Sequence, residues 1–222
     1  MTKKMLMALV VFLLIAGLLY GLVIRPWFLW WGATNEEIYG TWPGDDIIPG
    51  MKTENTRAIT INAKPSEIWP WLMQMGQGRG GLYSYDWLEN LIGLDIHSAN
   101  NIIPEFQNLD VGERIWMAPK EKFDGKAYDT VGLIESNRAL VLITPGYVQT
   151  ATNSNISGNG IWSFILSPVD EHTTRLIIRG RSVEDQGFFE TLVLHFAEPI
   201  HFIMERKMML GIKERAEQTY GS

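Results

Sequence analysis

Residues 57–69 read Arg57-Ala58-Ile59-Thr60-Ile61-Asn62-Ala63-Lys64-Pro65-Ser66-Glu67-Ile68-Trp69, and the hydrophobic period changes within them. Up to Ala63 the pattern alternates, so Ile59, Ile61 and Ala63 share one face, as in a half-buried strand. Pro65 then suits the first turn of a helix, and Glu67 lies near its positive dipole end. Ile68, Trp69, Leu72, Met73 and Met75 continue at helical spacing. Pro70 fits this helix only close to its first turn, where a missing N–H costs little.

The next stretch, Gly76-Gln77-Gly78-Arg79-Gly80-Gly81, satisfies G-x-G-x-x-G letter for letter. A dinucleotide cradle needs a strand before that loop and a helix N-terminus after it. Here a helix precedes, and Gly76 falls where a helix C-cap belongs. The loop therefore reads as an interhelical connection, or as a mobile door carrying Arg79 to the rim of a pocket. A second short helix is predicted over Tyr85–Ile92, closed by Gly93.

Strands follow: Val111–Ala118, then Tyr128–Glu135 and Arg138–Thr144 around a Ser136-Asn137 turn, then Ile161–Ser167 and Thr174–Ser182. Trp162, Phe164 and Leu166 share a face. Leu176 and Ile178 oppose Arg175, Arg179 and Arg181, which reads as one inward face and one solvated face. The alternative register would turn the three arginines into a cavity to meet an acidic headgroup. A long helical region over Phe188–Thr219, interrupted at Pro199, closes the chain, with Phe189, Leu192, Phe196, Ile200 and Ile203 as its apolar stripe. Strand, helices, antiparallel strands and a long final helix define an α+β domain: a curved antiparallel sheet gripping the C-terminal helix.

Upstream, Met5 to Ile24 carries no charge, and twenty residues of helix span about 30 Å, the thickness of a bilayer's hydrocarbon core. A cleaved signal usually has a shorter apolar region, so an uncleaved transmembrane anchor is expected. Arg25-Pro26-Trp27-Phe28-Leu29-Trp30-Trp31 would place aromatic rings at headgroup level. Lys3 and Lys4 against Arg25 favour a cytoplasmic N-terminus and an extracytoplasmic domain. The expected division is an anchor over 1–25, a juxtamembrane segment and linker over 26–55, either free or packed on the domain, with one short helix near Asn35–Tyr39, and the folded domain over 56–222.

Composition narrows the chemistry. Among 222 residues there is no Cys, which removes disulfides, thiolate metal sites and Cys nucleophiles. After residue 25 the chain holds 16 basic and 25 acidic residues, so a nucleic-acid partner is not expected. Nine Trp and ten Met suit an apolar cavity or a membrane-facing surface.

The segment Ile59 to Trp69, the end Met204-Glu205-Arg206-Lys207-Met208-Met209-Leu210-Gly211-Ile212-Lys213, and the block GQGRGG–YSYDWLEN together resemble the SRPBCC superfamily. Its members include StAR-related lipid-transfer and polyketide cyclase-like helix-grip domains. The likeness covers about residues 56–219 and is closest to a membrane-anchored bacterial subgroup. It implies a deep apolar cavity between sheet and C-terminal helix, and it implies no particular reaction.

The candidate ligand-binding residues are Arg79, Tyr83, Tyr85, Asp86, Trp87, His97, Trp116 and Trp162. Tyrosine and tryptophan suit a pocket rim, with the ring on an apolar ligand and the polar edge on a partner. The same residues also suit ordinary core packing. Of four histidines, only His97, beside Asp95, has company suggestive of acid–base work. His195 and His201 are six apart, a poor metal spacing, and neither a metal nor a cofactor is expected. No G-x-S-x-G, H-E-x-x-H, Walker or EF-hand pattern occurs. The expected function is a membrane-tethered, non-catalytic binding domain for an apolar or amphipathic small molecule, plausibly a lipid. Two rivals stand beside it. One is a cyclase- or dehydrase-type enzyme using Arg79, Tyr83, Tyr85, Asp86 or His97; the other is a protein-interaction or stress-response module.

Overall fold

The computed structural model describes residues 2–153, 155–183 and 188–220, with the side chains of 188–194, 196, 219 and 220 left outside the description. An apolar helix α1 (Lys3–Leu19) passes through a π turn (Tyr20–Ile24) into α2 (Arg25–Leu29). The continuous helix Lys3–Leu29 is long and apolar enough to cross a membrane. A short α3 (Asn35–Tyr39) follows, capped by Thr34 and Glu37, as its sequence predicts. The domain then runs β1 (Lys52–Ile61), α4 (Pro65–Met73), α5 (Asp86–Leu91), β2 (Arg114–Trp116), β3 (Tyr128–Glu135), β4 (Ala139–Gln149), β5 (Ser157–Pro168), β6 (Thr174–Ser182) and α6 (Phe188–Tyr220). All six strands form one antiparallel sheet in the order β1-β6-β5-β4-β3-β2.

The front of the sheet meets α4 and α6. Ile59, Ile61, Leu140, Leu142, Phe164, Leu176 and Ile178 project there against Ile68, Trp71, Leu72, Met208, Met209 and Ile212. The buried stripe of α6 is Phe202, Glu205, Met208, Met209, Ile212 and Ala216. The predicted stripe is corrected on this point. Ile200 and Ile203 are exposed, and Phe189, Leu192 and Phe196 lie outside the described side chains.

The back of the sheet is not solvated. Residues 32–51, expected to be a linker, cover it. Ile47, Ile48 and Met51 pack on Val141, Ile143 and Ile161, while Ala33 and Trp42 lie over Ala58, Ile165 and Ile177. The three outward arginines of β6 hold this cover in place. Arg175 forms a bidentate pair with Glu37 at 2.7 Å, Arg179 meets Asp45 at 3.1 Å, and Arg181 donates to the carbonyls of Asp45 and Met51. The alternation placed these side chains on the outer face correctly; their salt-bridged burial comes from a distant segment that period alone does not reveal.

The predicted break at Pro199 does not occur, and α6 is continuous across it. A proline at 199 leaves the His195 carbonyl without its usual helical donor. The hydroxyl of Tyr20, on the N-terminal helical segment, reaches that carbonyl at 3.3 Å. The N-terminal helix is thus docked along α6. Arg25 pairs with Glu198 at 2.7 Å, Trp27 and Phe28 pack their rings on Phe202, and Arg206 lies over Trp31. Arg57 locks the junction from the sheet: buried, it donates to the Phe28 carbonyl and pairs with Glu205 at 2.9 Å.

Candidate functional site

The glycine loop is closed on itself. Gly76 and Gly81 exchange both backbone hydrogen bonds, Gly80 donates to the Gln74 carbonyl, and Gln77 donates to that of Trp116. Gly81 has φ +77° and lies against Ser98, where a Cβ would come within 2.6 Å of the Ser98 Cα. These N–H groups are spent inside the protein and do not converge on a phosphate, which makes the loop a tight knot. Arg79 points inward, donating to the carbonyls of Met73 and Phe106 at 2.9 Å and stacking on the Phe106 ring. The reading of this loop as a mobile door carrying Arg79 is therefore corrected.

Most of the other candidates serve the scaffold. Tyr83 is buried, its hydroxyl donates to the Trp71 carbonyl at 3.0 Å, and burial pushes its pKa up. Asp86 accepts from both the backbone N–H and the hydroxyl of Ser98, at 2.7 and 2.6 Å. His97 is exposed and paired with Asp95 at 3.1 Å. Tyr85 is half-buried and precedes α5, while Trp87 faces outward from that helix. Trp116 packs at a tilt against Tyr128 at the edge of the sheet. Neither Asp86 nor His97 stands beside a tyrosine hydroxyl in a cavity, and the acid–base roles expected of them have no geometric support.

Trp162 differs. It projects from β5 toward α6 and lines a cavity of about 60 Å³ together with Leu82, Ser84, Glu89, His201, Met204, Glu205 and Met208. This is room for a few waters or one small polar group. Sheet, α5 and α6 each supply a wall, and the exposed His201 ring marks the mouth. Three buried polar atoms on these lining side chains have no hydrogen-bond partner: Trp162 Nε1, Glu89 Oε2 and Glu205 Oε1. An unsatisfied buried polar atom typically costs about 1–3 kcal/mol, and three of those in the protein belong to side chains lining this one small space.

The electrostatics of the two acids differ. Glu205 pairs through Oε2 with the buried Arg57 guanidinium at 2.9 Å, which leaves Oε1 without a partner. Among the described residues Glu89 forms no ion pair. Burial, with the nearby Asp86 charge adding to it, pushes its pKa up to about 7. A second cavity, of about 240 Å³, lies on the anchor side of the same ion pair, between Leu29, Glu54, Asn55, Arg57, Ala197, Glu198 and His201. Among the described residues no group of three His, Asp or Glu side chains is placed to hold a metal.

Sequence reasoning missed Glu89, Ser84, His201, Met204, Glu205 and Met208. One signal was available for Glu205. The spacing 202, 205, 209, 212, 216 is that of a buried helix face, and an acid stands at its second position.

No protein-family profile matches the chain, and no curated protein matches it. Solved structures do. A Mesorhizobium loti protein aligns at 15% identity over 74% of this chain and 98% of its own, with a TM-score of 0.39. A conserved Geobacillus kaustophilus protein aligns at 11% over 74% and 95%, with a TM-score of 0.42. CalC, a self-sacrificing resistance protein from Micromonospora echinospora, aligns at 8% over 74% and 94%, with a TM-score of 0.43. The α+β architecture stated above rests on this chain's own strand order and closing helix.

Proposed function

We propose that this chain is a membrane-anchored helix-grip domain that binds, without catalysis, the uncharged hydroxyl-bearing end of an amphipathic small molecule. The observation that carries this reading is the set of three unpartnered polar atoms around the cavity between sheet and α6. A hydroxyl both donates and accepts. It satisfies the Glu205 acceptor and the Trp162 indole donor at once, which an ammonium group, having no acceptor, does not. A carboxylate or phosphate would be repelled by Glu205. The sulfur and methylene surfaces of Met204 and Met208 suit the start of an alkyl chain. A cavity this small takes the head, and the tail leaves past His201.

The test is native mass spectrometry of the full chain released from nanodiscs loaded with 1-dodecanol or with dodecanoate. Retention of dodecanol, with about a tenfold loss in Trp162→Phe, is expected from the loss of one buried hydrogen bond. Retention of neither probe overturns the reading. Glu89, half protonated near neutral pH, favours acid–base catalysis as the second reading. Ligands extracted from cells with wild-type and Glu89→Gln protein separate the two: identical masses fit a carrier, and a different species on the variant fits an enzyme.

A further inference from the structure

Five large apolar side chains on α5, just after it, and on α6 point into solvent, each at least half exposed: Trp87, Leu91, Ile92, Ile200 and Ile203. Trp27, on α2, joins them at 58% exposure. They gather at one end of the domain. Trp27 packs on Phe202, between Ile200 and Ile203 in sequence, and Arg25 pairs with Glu198 one turn earlier. Ser84, two residues before α5, donates to the Met204 carbonyl, and Glu89 shares a cavity with His201 and Met204. Trp87 and Leu91 lie one helical turn apart on the side of α5 opposite Glu89.

The anchor defines what meets this end. Tyr20, Arg25, Phe28 and Trp31 contact α6 at residues 195, 198, 202 and 206, so the two helices run in parallel and the start of α6 points toward the membrane segment. A bilayer core of about 30 Å is filled by Met5–Ile24, which leaves Arg25–Leu29 at headgroup depth. Ile200 and Ile203 stand beside that stretch.

From this continuity we infer that the face formed by Trp27, Trp87, Leu91, Ile92, Ile200 and Ile203 lies in the lipid headgroup layer, seating this end of the domain on the bilayer that carries its anchor. This rests on the reading of Lys3–Leu29 as a membrane span. It goes beyond the pocket, whose mouth at His201 would then open at lipid level and not into bulk water. A solvated patch of Trp, Leu and Ile next to an unburied apolar span is costly in water, and Trp at headgroup depth is favoured.

The chain has no cysteine, so single cysteines can be placed and labelled without background. In nanodiscs, the full chain carries an environment-sensitive fluorophore at Leu13→Cys in the anchor, at Leu91→Cys or Ile203→Cys on the face, or at Val169→Cys on the exposed turn at the far end of the sheet. Nitroxide-bearing lipid should quench 13, 91 and 203 strongly, and aqueous iodide should quench 169 alone. If 91 and 203 behave like 169 while 13 stays lipid-quenched, the surface proposal falls and the anchor stands. If 13 itself answers only to iodide, the membrane reading fails with it. Protection of 91 and 203 from both quenchers would assign the face to a second copy of the chain and likewise overturn the proposal.

Discussion

Glu89 keeps its proton to about pH 7 because its carboxyl is buried, with the Asp86 charge nearby. The unfolded chain ionises the same group near pH 4.5, its ordinary value. Below that pH both states are protonated and the group is neutral to stability. Between about pH 4.5 and 7 the unfolded state releases its proton first, so stability falls as pH rises, by up to about 3 kcal/mol once above 7. Glu89→Gln should therefore raise the melting temperature at pH 8 and leave it nearly unchanged at pH 4, measured by thermal denaturation in detergent. An equal effect at both pH values would contradict the burial argument. Arg57 and Glu205 behave oppositely. Their charges are mutually satisfied, and Arg57→Met alone should destabilise the fold by about 3–5 kcal/mol because it strands a buried carboxylate. The double change Arg57→Met with Glu205→Met should recover much of that loss.

Among the elements, the strands and helices of the domain were legible because each has one clear period. Tyr128–Glu135 and Thr174–Ser182 fall where alternation puts them. Val111–Ala118 shrinks to Arg114–Trp116 because β2 pairs on one side only, and the segment to its N-terminal side is taken up by turns. The glycine loop was the hardest element to read, since six residues fit a mobile door and a closed knot equally well until their hydrogen bonds are seen. A paired substitution checks the knot. Gly81→Ala meets both a left-handed φ and the Ser98 backbone, whereas Gly50→Ala, at φ +76°, meets open space. The first should cost clearly more than the roughly 1 kcal/mol expected of the second, read as the difference in chemical-denaturation midpoints. The uninterrupted α6 was illegible for a related reason. Its Pro199 is tolerated through Tyr20, a residue 179 positions earlier in the chain.

At the scale of the molecule, residues 32–51 turn a two-layer domain into a three-layer one, and the N-terminal helix becomes a docked part of it. Sequence showed the transmembrane length of residues 5–24 and left open that the linker packs on the domain, but not which face it covers, because its Gly, Pro and acidic residues name no site until their ionic partners on β6 are known. Asp45→Ala should loosen that cover by removing the counter-charge of both Arg179 and Arg181. Faster backbone hydrogen exchange across residues 41–51 and β6, with α4 unchanged, is the expected result. The candidate pocket was only partly legible: Trp162 was named for its ring, while Glu89 and Glu205 become meaningful only when α5, α6 and the sheet meet around one cavity. The most direct test of the central claim is therefore the occupancy of that cavity. The full chain in nanodiscs is mixed with 1-dodecanol, and the probe it retains is counted by native mass spectrometry for wild type and Trp162→Phe. One dodecanol per chain, lost about tenfold in the variant, is the predicted result. No retained dodecanol, or equal retention by both proteins, would contradict the account.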